Sequence, residues 1–210
     1  MELTSRSFSA NGRIPGRCAF AVKAPKGHVR LAANRNPHLA WRGAPDGTQS
    51  FVLTCIDADA PTRPDDVNQP GREVSAKLPR TEFVHWLMAD IPAQVNEIAE
   101  GACSQGVTAK GKTAPAGPRG ARQGINDYTG WFATDAAMNG TYLGYDGPCP
   151  PWNDARIHRY TFEVLALDVA HLDLPEGFDL AGLRAALEGH VLARAQRVGR
   201  YSLNPRIGLR

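Results

Sequence analysis

Residues 51–61 read Phe-Val-Leu-Thr-Cys-Ile-Asp-Ala-Asp-Ala-Pro, and this stretch decides the fold class. Alternate side chains of an extended chain point to opposite faces. Both faces here are mostly apolar: Phe51, Leu53 and Cys55 form one, and Val52, Thr54 and Ile56 form the other. A strand that is apolar on both faces is typical of the centre of a sheet that is covered on each side.

Other segments extend this pattern along the chain. Residues 83–91 predict a second buried strand and residues 159–167 a third. Residues 101–130 are dense in glycine and proline, which predicts a long loop of the kind that is often functional. A period near 3.6 predicts one helix over residues 180–198, with Asp179 as its N-cap and Gly199 after its end.

Composition supports an all-β protein. The 210 residues include 21 glycines and 16 prolines, well above the combined share of roughly 12% that is usual in proteins. A helical bundle does not tolerate so many helix breakers. We therefore expect an antiparallel, Greek-key-like β-sandwich with peripheral helices, one of them near the C-terminus. No repeat or shift in composition marks a second domain, so a single domain over residues 1–210 is expected.

The charge and targeting signals are weak. Lys and Arg number 24 against 21 Asp and Glu, and the resulting net charge of +3 is too small to indicate a nucleic-acid partner or a membrane surface. Residues 1–18 contain no apolar run of signal-peptide length, and no window has the roughly 18 apolar residues of a membrane span. The four cysteines include no C-x-x-C pair. We expect a cytoplasmic protein with free thiols and no stable membrane anchoring.

Residues 106–113, Gly-Val-Thr-Ala-Lys-Gly-Lys-Thr, match the nucleotide-binding pattern G-x-x-x-x-G-K-[ST]. That motif binds phosphates only between a preceding strand and a following helix. Pro115, Gly117 and Pro118 follow at once, so no helix can begin there. We interpret the match as a flexible basic loop.

Four polar residues lie within or at the ends of the apolar strands: Asp57, Asp59, His85 and His158. Taken alone, residues 57–61 favour a turn, because Asp and Pro are both common in turns. His85 in an apolar strand is more often a core residue than a catalyst. Buried polar groups cost free energy unless they have partners, and clustering around a ligand is a physical reason to keep them.

Taken together, these segments resemble the phosphatidylethanolamine-binding proteins, also called Raf kinase inhibitor proteins, and most closely their bacterial branch. The segments that carry the resemblance are residues 39–45, 51–61, 83–92, 144–151, 158–168 and 187–193. The family pattern Asp-Pro-Asp-Ala-Pro stands here with Ala58 in place of its first proline. Residues 129–143 look like an insertion, and they bring Trp131, Phe132, Met138 and Tyr142 close to the expected pocket mouth.

The resemblance implies a pocket for a small phosphorylated or anionic ligand such as phosphate or phosphoethanolamine. Its ligand-binding residues would be Asp57, Asp59, Pro61, His85, Gly147, Pro148, Pro150, His158 and Tyr160. We expect no catalytic residue, metal or cofactor, because the sequence shows no motif for one. A regulatory, kinase-inhibitor-like role with a kinase or protease as protein partner is compatible with the resemblance, and so is a homodimer.

The alternative is an enzyme. Asp57, Asp59, His85 and His158 could form a hydrolytic site or bind a divalent metal ion. The sequence contains neither G-x-S-x-G nor H-E-x-x-H, so no nucleophile or metal motif supports that alternative.

Overall fold

The computed structural model describes residues 1–208, and it is built mainly of antiparallel strands. Its strands are β1 (Glu2–Thr4), β2 (Ala21–Lys23), β3 (Val29–Leu31), β4 (Leu39–Arg42), β5 (Ser50–Pro61), β6 (Arg80–Pro92), β7 (Glu97–Ile98), β8 (Arg122–Gln123), β9 (His158–Leu167) and β10 (Val191–Tyr201). Its α-helices are α1 (Tyr128–Trp131) and α2 (Leu180–Ala186), and residues Gly16–Cys18 form one turn of 3-10 helix. The expected fold class, mainly β with antiparallel sheets and a helix near the C-terminal end, is confirmed.

The main sheet has the strand order β10-β9-β5-β6-β8, and every neighbouring pair is antiparallel. β5 lies at its centre, as the two apolar faces predict. β9 pairs with β5 up to the register Asp57↔Tyr160. This register places residues from the ends of two neighbouring strands side by side.

Each face of β5 packs against a different layer. Phe51, Leu53 and Cys55 belong to the larger core, which they share with the small β1-β4-β7 sheet. The Trp41 ring of β4 meets the Phe51 ring edge-on with centroids 5.5 Å apart. Val52 on the opposite face packs in a second core with Leu183 of α2. Two sheets enclosing one core form the sandwich, and α2 covers its outer face.

The predicted helix over residues 180–198 is correct only at its start. Asp179 caps α2 as expected, accepting a hydrogen bond from the backbone N–H of Gly182 at 2.8 Å. The helix ends at Ala186, and Gly189 with φ of +82° turns the chain back. Residues 191–201 then form β10, which pairs along β9. Backbone pairing with an adjacent long strand outweighs the helical spacing of the apolar residues in this segment.

The predicted turn at residues 57–61 is also wrong. β5 continues to Pro61, with a bulge between Asp57 and Ala60 against β6. The extra residue lets the two aspartates leave the strand in different directions.

The long segment 101–130 contains only β8 and the start of α1 as regular elements. Gln123 of β8 pairs with Met88 of β6 and so extends the main sheet by one short edge strand. No helix within residues 1–208 is long and apolar enough to cross a membrane.

Candidate functional site

A cavity of about 530 Å³ opens at one end of the main sheet. It lies where the ends of β5, β6 and β9 meet the β2-β3 hairpin, α1 and the loop before β9. Most of its lining is apolar or aromatic: Phe20, Val29, Leu31, Pro61, Phe83, Tyr128, Trp131, Phe132, Met138, Pro150 and Pro151. Its polar lining includes Asp57, His85, His158, Tyr160 and Arg30. Few polar groups in a largely apolar concavity are typical of a small-molecule site.

His158 lies between two carboxylates. Its Nδ1 is 2.7 Å from Oδ2 of Asp57, and its Nε2 is 3.1 Å from Oδ2 of Asp154. Burial by itself would lower the pKa of His158, but the two carboxylates outweigh burial and raise the pKa to about 9. Because both ring nitrogens face acceptors, His158 is an imidazolium that donates on both sides.

Arg80 completes this buried charge network. It is the first residue of β6, and its guanidinium binds both oxygens of Asp154, at 2.5 and 3.0 Å. The arginine and Asp154 side chains are both almost fully buried. The two carboxylates at His158 are therefore balanced by two cations, and the floor of the cavity carries no net charge.

His85 has the opposite character. Its Nδ1 lies 2.7 Å from the carbonyl oxygen of Asp146, which can only accept, so Nδ1 carries the proton. Burial lowers the pKa of His85 and keeps the ring neutral, although Asp57 acts in the opposite direction. Nε2 has no hydrogen-bond partner among residues 1–208 and offers an unused acceptor at the cavity.

Tyr160 supplies an unused donor. The side chain is fully buried, and its hydroxyl finds no hydrogen-bond partner of good geometry in the described part of the chain. Burial, together with the Asp57 carboxylate close to the hydroxyl, raises the pKa of Tyr160 well above its usual value, so the hydroxyl keeps its proton. The ring meets that of His85 edge-on with centroids 5.1 Å apart. A buried hydroxyl without a partner is rare in folded proteins and points to a missing ligand or water.

Asp59 is not part of the cavity lining. Its Oδ2 accepts hydrogen bonds from the Arg159 backbone N–H at 3.0 Å and from Arg159 Nε at 2.8 Å, and its Oδ1 faces Arg156 Nη1 at 3.2 Å. Burial by itself would raise the pKa of Asp59, but the bonds from Arg159 outweigh it and lower the pKa. The side chain ties β5 to the start of β9 behind the cavity.

Of the residues predicted in the segment Gly-Pro-Cys-Pro-Pro, residues 147–151, some line the cavity and others do not. Pro150 lines the cavity, as does Pro61. Gly147 and Pro148 lie behind it, where the Gly147 carbonyl accepts a hydrogen bond from Tyr128 Oη at 2.7 Å and the Pro148 carbonyl accepts one from the Phe20 N–H at 3.0 Å. They hold the wall in place through backbone groups.

The segment 129–143 lies at the cavity mouth, as expected. Trp131, Phe132 and Met138 line it, and the Trp131 side chain is 49% exposed. Tyr142 is fully buried and does not line the cavity, because its hydroxyl donates to the Met138 carbonyl at 2.8 Å.

Sequence reasoning missed Asp154, Arg80 and Asp146. Asp154 lies four residues before His158. That spacing predicts a side-chain contact in a helix, but the residues between the two form no helix, so it predicts none here. Asp146 Oδ1 accepts hydrogen bonds from Asn34 Nδ2 and from Lys112 Nζ, both at 2.7 Å. Lys112 lies in the stretch 106–113 that matches the nucleotide-binding pattern. In the structure its ammonium instead binds Asp146, which supports the cavity wall beneath His85. No helix follows this stretch before α1.

A metal centre is not formed by the predicted cluster. Within residues 1–208 no group of three or more His, Cys, Asp or Glu side chains is arranged to hold a metal ion. His158 donates with both nitrogens, and both oxygens of Asp59 face arginines.

Comparison with known proteins places this geometry in a family. A model of the family described as phosphatidylethanolamine-binding protein matches residues 4–202. A UPF0098 protein of Aquifex aeolicus is 32% identical over 203 residues, covering 96% of this chain and 88% of the relative. The UPF0098 protein YbhB of Escherichia coli is 30% identical over 202 residues, covering 96% of this chain and 100% of the relative.

A solved structure has the same fold. The crystal structure of E. coli YbcL, described as a new member of the mammalian PEBP family, superimposes with a TM-score of 0.67 at 27% identity, covering 96% of this chain and 97% of that one. The chain therefore belongs to the phosphatidylethanolamine-binding protein family.

Proposed function

We propose that the cavity binds a small phosphorylated ligand whose own charges nearly balance, as in a phosphoethanolamine headgroup. Membership of the family supports a ligand-binding protein of this type. The observation that carries the proposal is the Tyr160 hydroxyl, which is buried without a hydrogen-bond partner of good geometry, on a ring that meets the His85 ring edge-on. Nε2 of His85 is likewise unused among residues 1–208. The Tyr160 hydroxyl can donate a hydrogen bond and His85 Nε2 can accept one. Together they complement a ligand that has both an acceptor and a donor.

Charge decides between ligand types. The carboxylates of Asp57 and Asp154 are balanced by His158 and Arg80, and His85 and Tyr160 are neutral. A site without net charge gains less from a free dianion than from a zwitterion, because the dianion loses its hydration without a compensating cation. In this arrangement the Tyr160 hydroxyl donates to a phosphate oxygen, while Asp57 or His85 accepts from the ammonium.

A binding role, and not catalysis, is favoured by the state of the reactive groups. His158 has no free ring nitrogen to act as a base in this state. Cys149 lines the cavity, but burial raises the pKa of its thiol to about 12, so little thiolate is available as a nucleophile.

A regulatory contact with a protein is a second candidate function. Leu31 and Trp131 lie on the cavity mouth with exposed fractions of 58% and 49%. Large apolar side chains exposed around a polar pocket are typical of interaction sites. In this role the cavity would receive a phosphorylated side chain of a kinase or protease partner, and binding would depend on Tyr160 and His85.

The test is an NMR titration with O-phosphoethanolamine and with inorganic phosphate, at pH 6 and at pH 8. We expect saturable shifts of cavity amides that are larger for O-phosphoethanolamine. Tyr160→Phe and His85→Ala should each weaken binding by about tenfold or more, since a hydrogen bond to a charged group is worth about 1.5–3 kcal/mol. Tyr145→Phe is the matched control, because the Tyr145 hydroxyl donates to the Cys18 carbonyl outside the cavity. No saturable shift in the wild type, or equal binding by all variants, would refute the proposal.

A further inference from the structure

A second pocket, the basic pocket, adjoins the cavity and has a different chemistry. It is an open surface pocket of about 440 Å³, lined by four solvent-exposed cationic residues, Arg13, Arg17, Lys23 and Arg30. Arg30, the middle residue of β3, lines both this pocket and the apolar cavity, so the two lie on either side of its side chain. No Asp or Glu of residues 1–208 is part of its lining.

Within residues 1–208, Arg17 is the one cation of the four that has a carboxylate partner. Arg17 binds the carboxylate of Glu100 with two nitrogens, at 2.6 and 3.0 Å. Lys23 Nζ donates to the Asn204 carbonyl at 2.6 Å, a neutral partner that leaves its charge uncompensated. Arg13 and Arg30 form no ion pair and no side-chain hydrogen bond with any residue from 1 to 208. Among the described residues, three of the four positive charges on this concave surface therefore have no carboxylate partner.

Lys23 is affected first by its partial burial and then by its charged neighbour Arg13. Burial and the Arg13 charge together lower the pKa of Lys23. Like charges on one solvent-exposed surface repel one another, weakly because water and salt screen them, and a bound anion relieves that repulsion. Ser202 adds a neutral donor: its Oγ accepts a hydrogen bond from the Asn204 N–H at 3.1 Å and keeps its own proton available.

We propose that the basic pocket is a second anion site, distinct from the Asp57–His158 cavity, and that it takes the diphosphate group of a small molecule. A guanidinium presents paired N–H donors that match two oxygens of one phosphoryl group, and the pocket offers two such groups without a partner. One phosphate monoester carries only about −1.5 to −2 charge at neutral pH, less than the three uncompensated cations. A diphosphate neutralises them more completely and spans a wider pocket.

The test is a titration with inorganic pyrophosphate at constant ionic strength, followed by calorimetry and by amide NMR. We expect saturable binding with shifts centred on Gly16, Ala33 and Ser202, which line the basic pocket, and weaker binding of inorganic phosphate. The double variant Arg13→Gln/Arg30→Gln should weaken pyrophosphate binding by about tenfold or more. The control is Arg63→Gln/Arg119→Gln, which removes the same charge from two exposed arginines outside the pocket.

The outcomes are distinct. No saturable binding to the wild type, or an equal loss in the pocket and control variants, would overturn the proposal, since the second result is what nonspecific charge attraction predicts. Pyrophosphate shifts centred on Tyr160 and His158 would also overturn it, because they would assign the anion to the cavity. Failure of O-phosphoethanolamine to bind the cavity would leave the pyrophosphate result unaffected.

Discussion

Nδ1 of His158 lies 2.7 Å from Oδ2 of Asp57 at the floor of a largely apolar cavity. The pair joins the start of β9 to the end of β5, and Asp154 on the other ring nitrogen extends it to the loop before β9. Charged groups are thus placed at the floor of a cavity whose lining is largely apolar. The same contact sets the pH range in which the fold is most stable.

Stability should fall as the pH rises through the pKa of His158. That pKa is about 9 in the folded protein, despite burial, because Asp57 and Asp154 face the ring, and about 6.5 in an unfolded chain. The folded state therefore holds the proton more tightly, and its stabilisation is full below pH 6.5 and lost as pH rises towards 9 and above. The contribution is on the order of 3 kcal/mol.

Asp57→Asn tests this pH dependence. The amide removes one of the two facing charges, so the pKa of His158 should fall and the loss of unfolding free energy between pH 6.5 and 9 should shrink. Urea unfolding at several pH values and NMR titration of the His158 ring measure the two effects. Asp168→Asn is the control, because it removes a carboxylate from the solvent-exposed pair with His190. Equal pH slopes in wild type and Asp57→Asn would contradict the assignment.

Lys112→Met should destabilise the cavity wall. Its ammonium lies 2.7 Å from Oδ1 of the buried Asp146, whose carbonyl orients His85. Removing one partner of a buried ion pair costs about 3–5 kcal/mol of folding stability. The amides of Asn34 and Asn126 still donate to the Asp146 carboxylate in the variant, so we expect a smaller loss of about 2–4 kcal/mol.

The readout is unfolding by urea together with the ¹⁵N shifts of the His85 ring, which report its tautomer. Lys77→Met, at an exposed position, is the control and should change neither. The double variant Lys112→Met/Asp146→Asn should lose less stability than the two single losses combined, because no charge is left buried alone. Full additivity would show that the two side chains do not interact.

Gly111→Ala should cost far more stability than Gly106→Ala, although both glycines belong to the nucleotide-like motif. Both have positive φ, +84° and +86°, so each substitution carries a backbone cost of about 1 kcal/mol. A Cβ on Gly111 would collide with the carbonyl oxygen of Thr141, whereas nothing lies within 4 Å of one on Gly106. We expect about 1 kcal/mol for Gly106→Ala and at least about 3 kcal/mol for Gly111→Ala by urea unfolding. Similar losses would mean that the loop moves aside.

The sequence predicted the central strands because their signal is local. Residues 51–57 and 83–91 are apolar on both faces, and they lie at the centre of the main sheet. β10 was not predictable in this way. Its apolar residues fit a helical period. The segment is a strand because it pairs with β9, which is far away in the sequence, and no local pattern shows that pairing. Gly189 separates the two structures within one periodic stretch.

The candidate site divides along the same line. The family resemblance implied that His158 and Tyr160 bind the ligand, and both line the cavity together with Asp57 and His85. The Asp59 side chain points away from the cavity because of a β-bulge, and no local sequence pattern predicts that bulge. Asp154, Arg80 and Asp146 come from loops and a strand end far apart in sequence, so only the folded chain brings them to the histidines.

Trp131→Ala should distinguish the contribution of the apolar cavity mouth to ligand binding from that of the polar floor. The indole is half-exposed at the mouth, so it can bury further apolar area only when a ligand carries an apolar group next to the phosphate. We expect the variant to weaken binding of an N-unsubstituted hexyl phosphoethanolamine diester by about tenfold, as burial of roughly 50 Å² at 25 cal/mol per Å² or more implies. Binding of O-phosphoethanolamine itself should be almost unchanged.

Leu192→Ala is the matched control, because Leu192 is, like Trp131 and Leu31, a large exposed apolar side chain, at 42%, but lies on β10 outside the cavity. It should bind both ligands like the wild type. Calorimetry with the two ligands gives the comparison directly. If Trp131→Ala weakened both ligands equally, its effect would come from a changed cavity floor. The apolar mouth would then have to be assigned to a protein partner and not to the ligand, because the hexyl group would gain nothing from it.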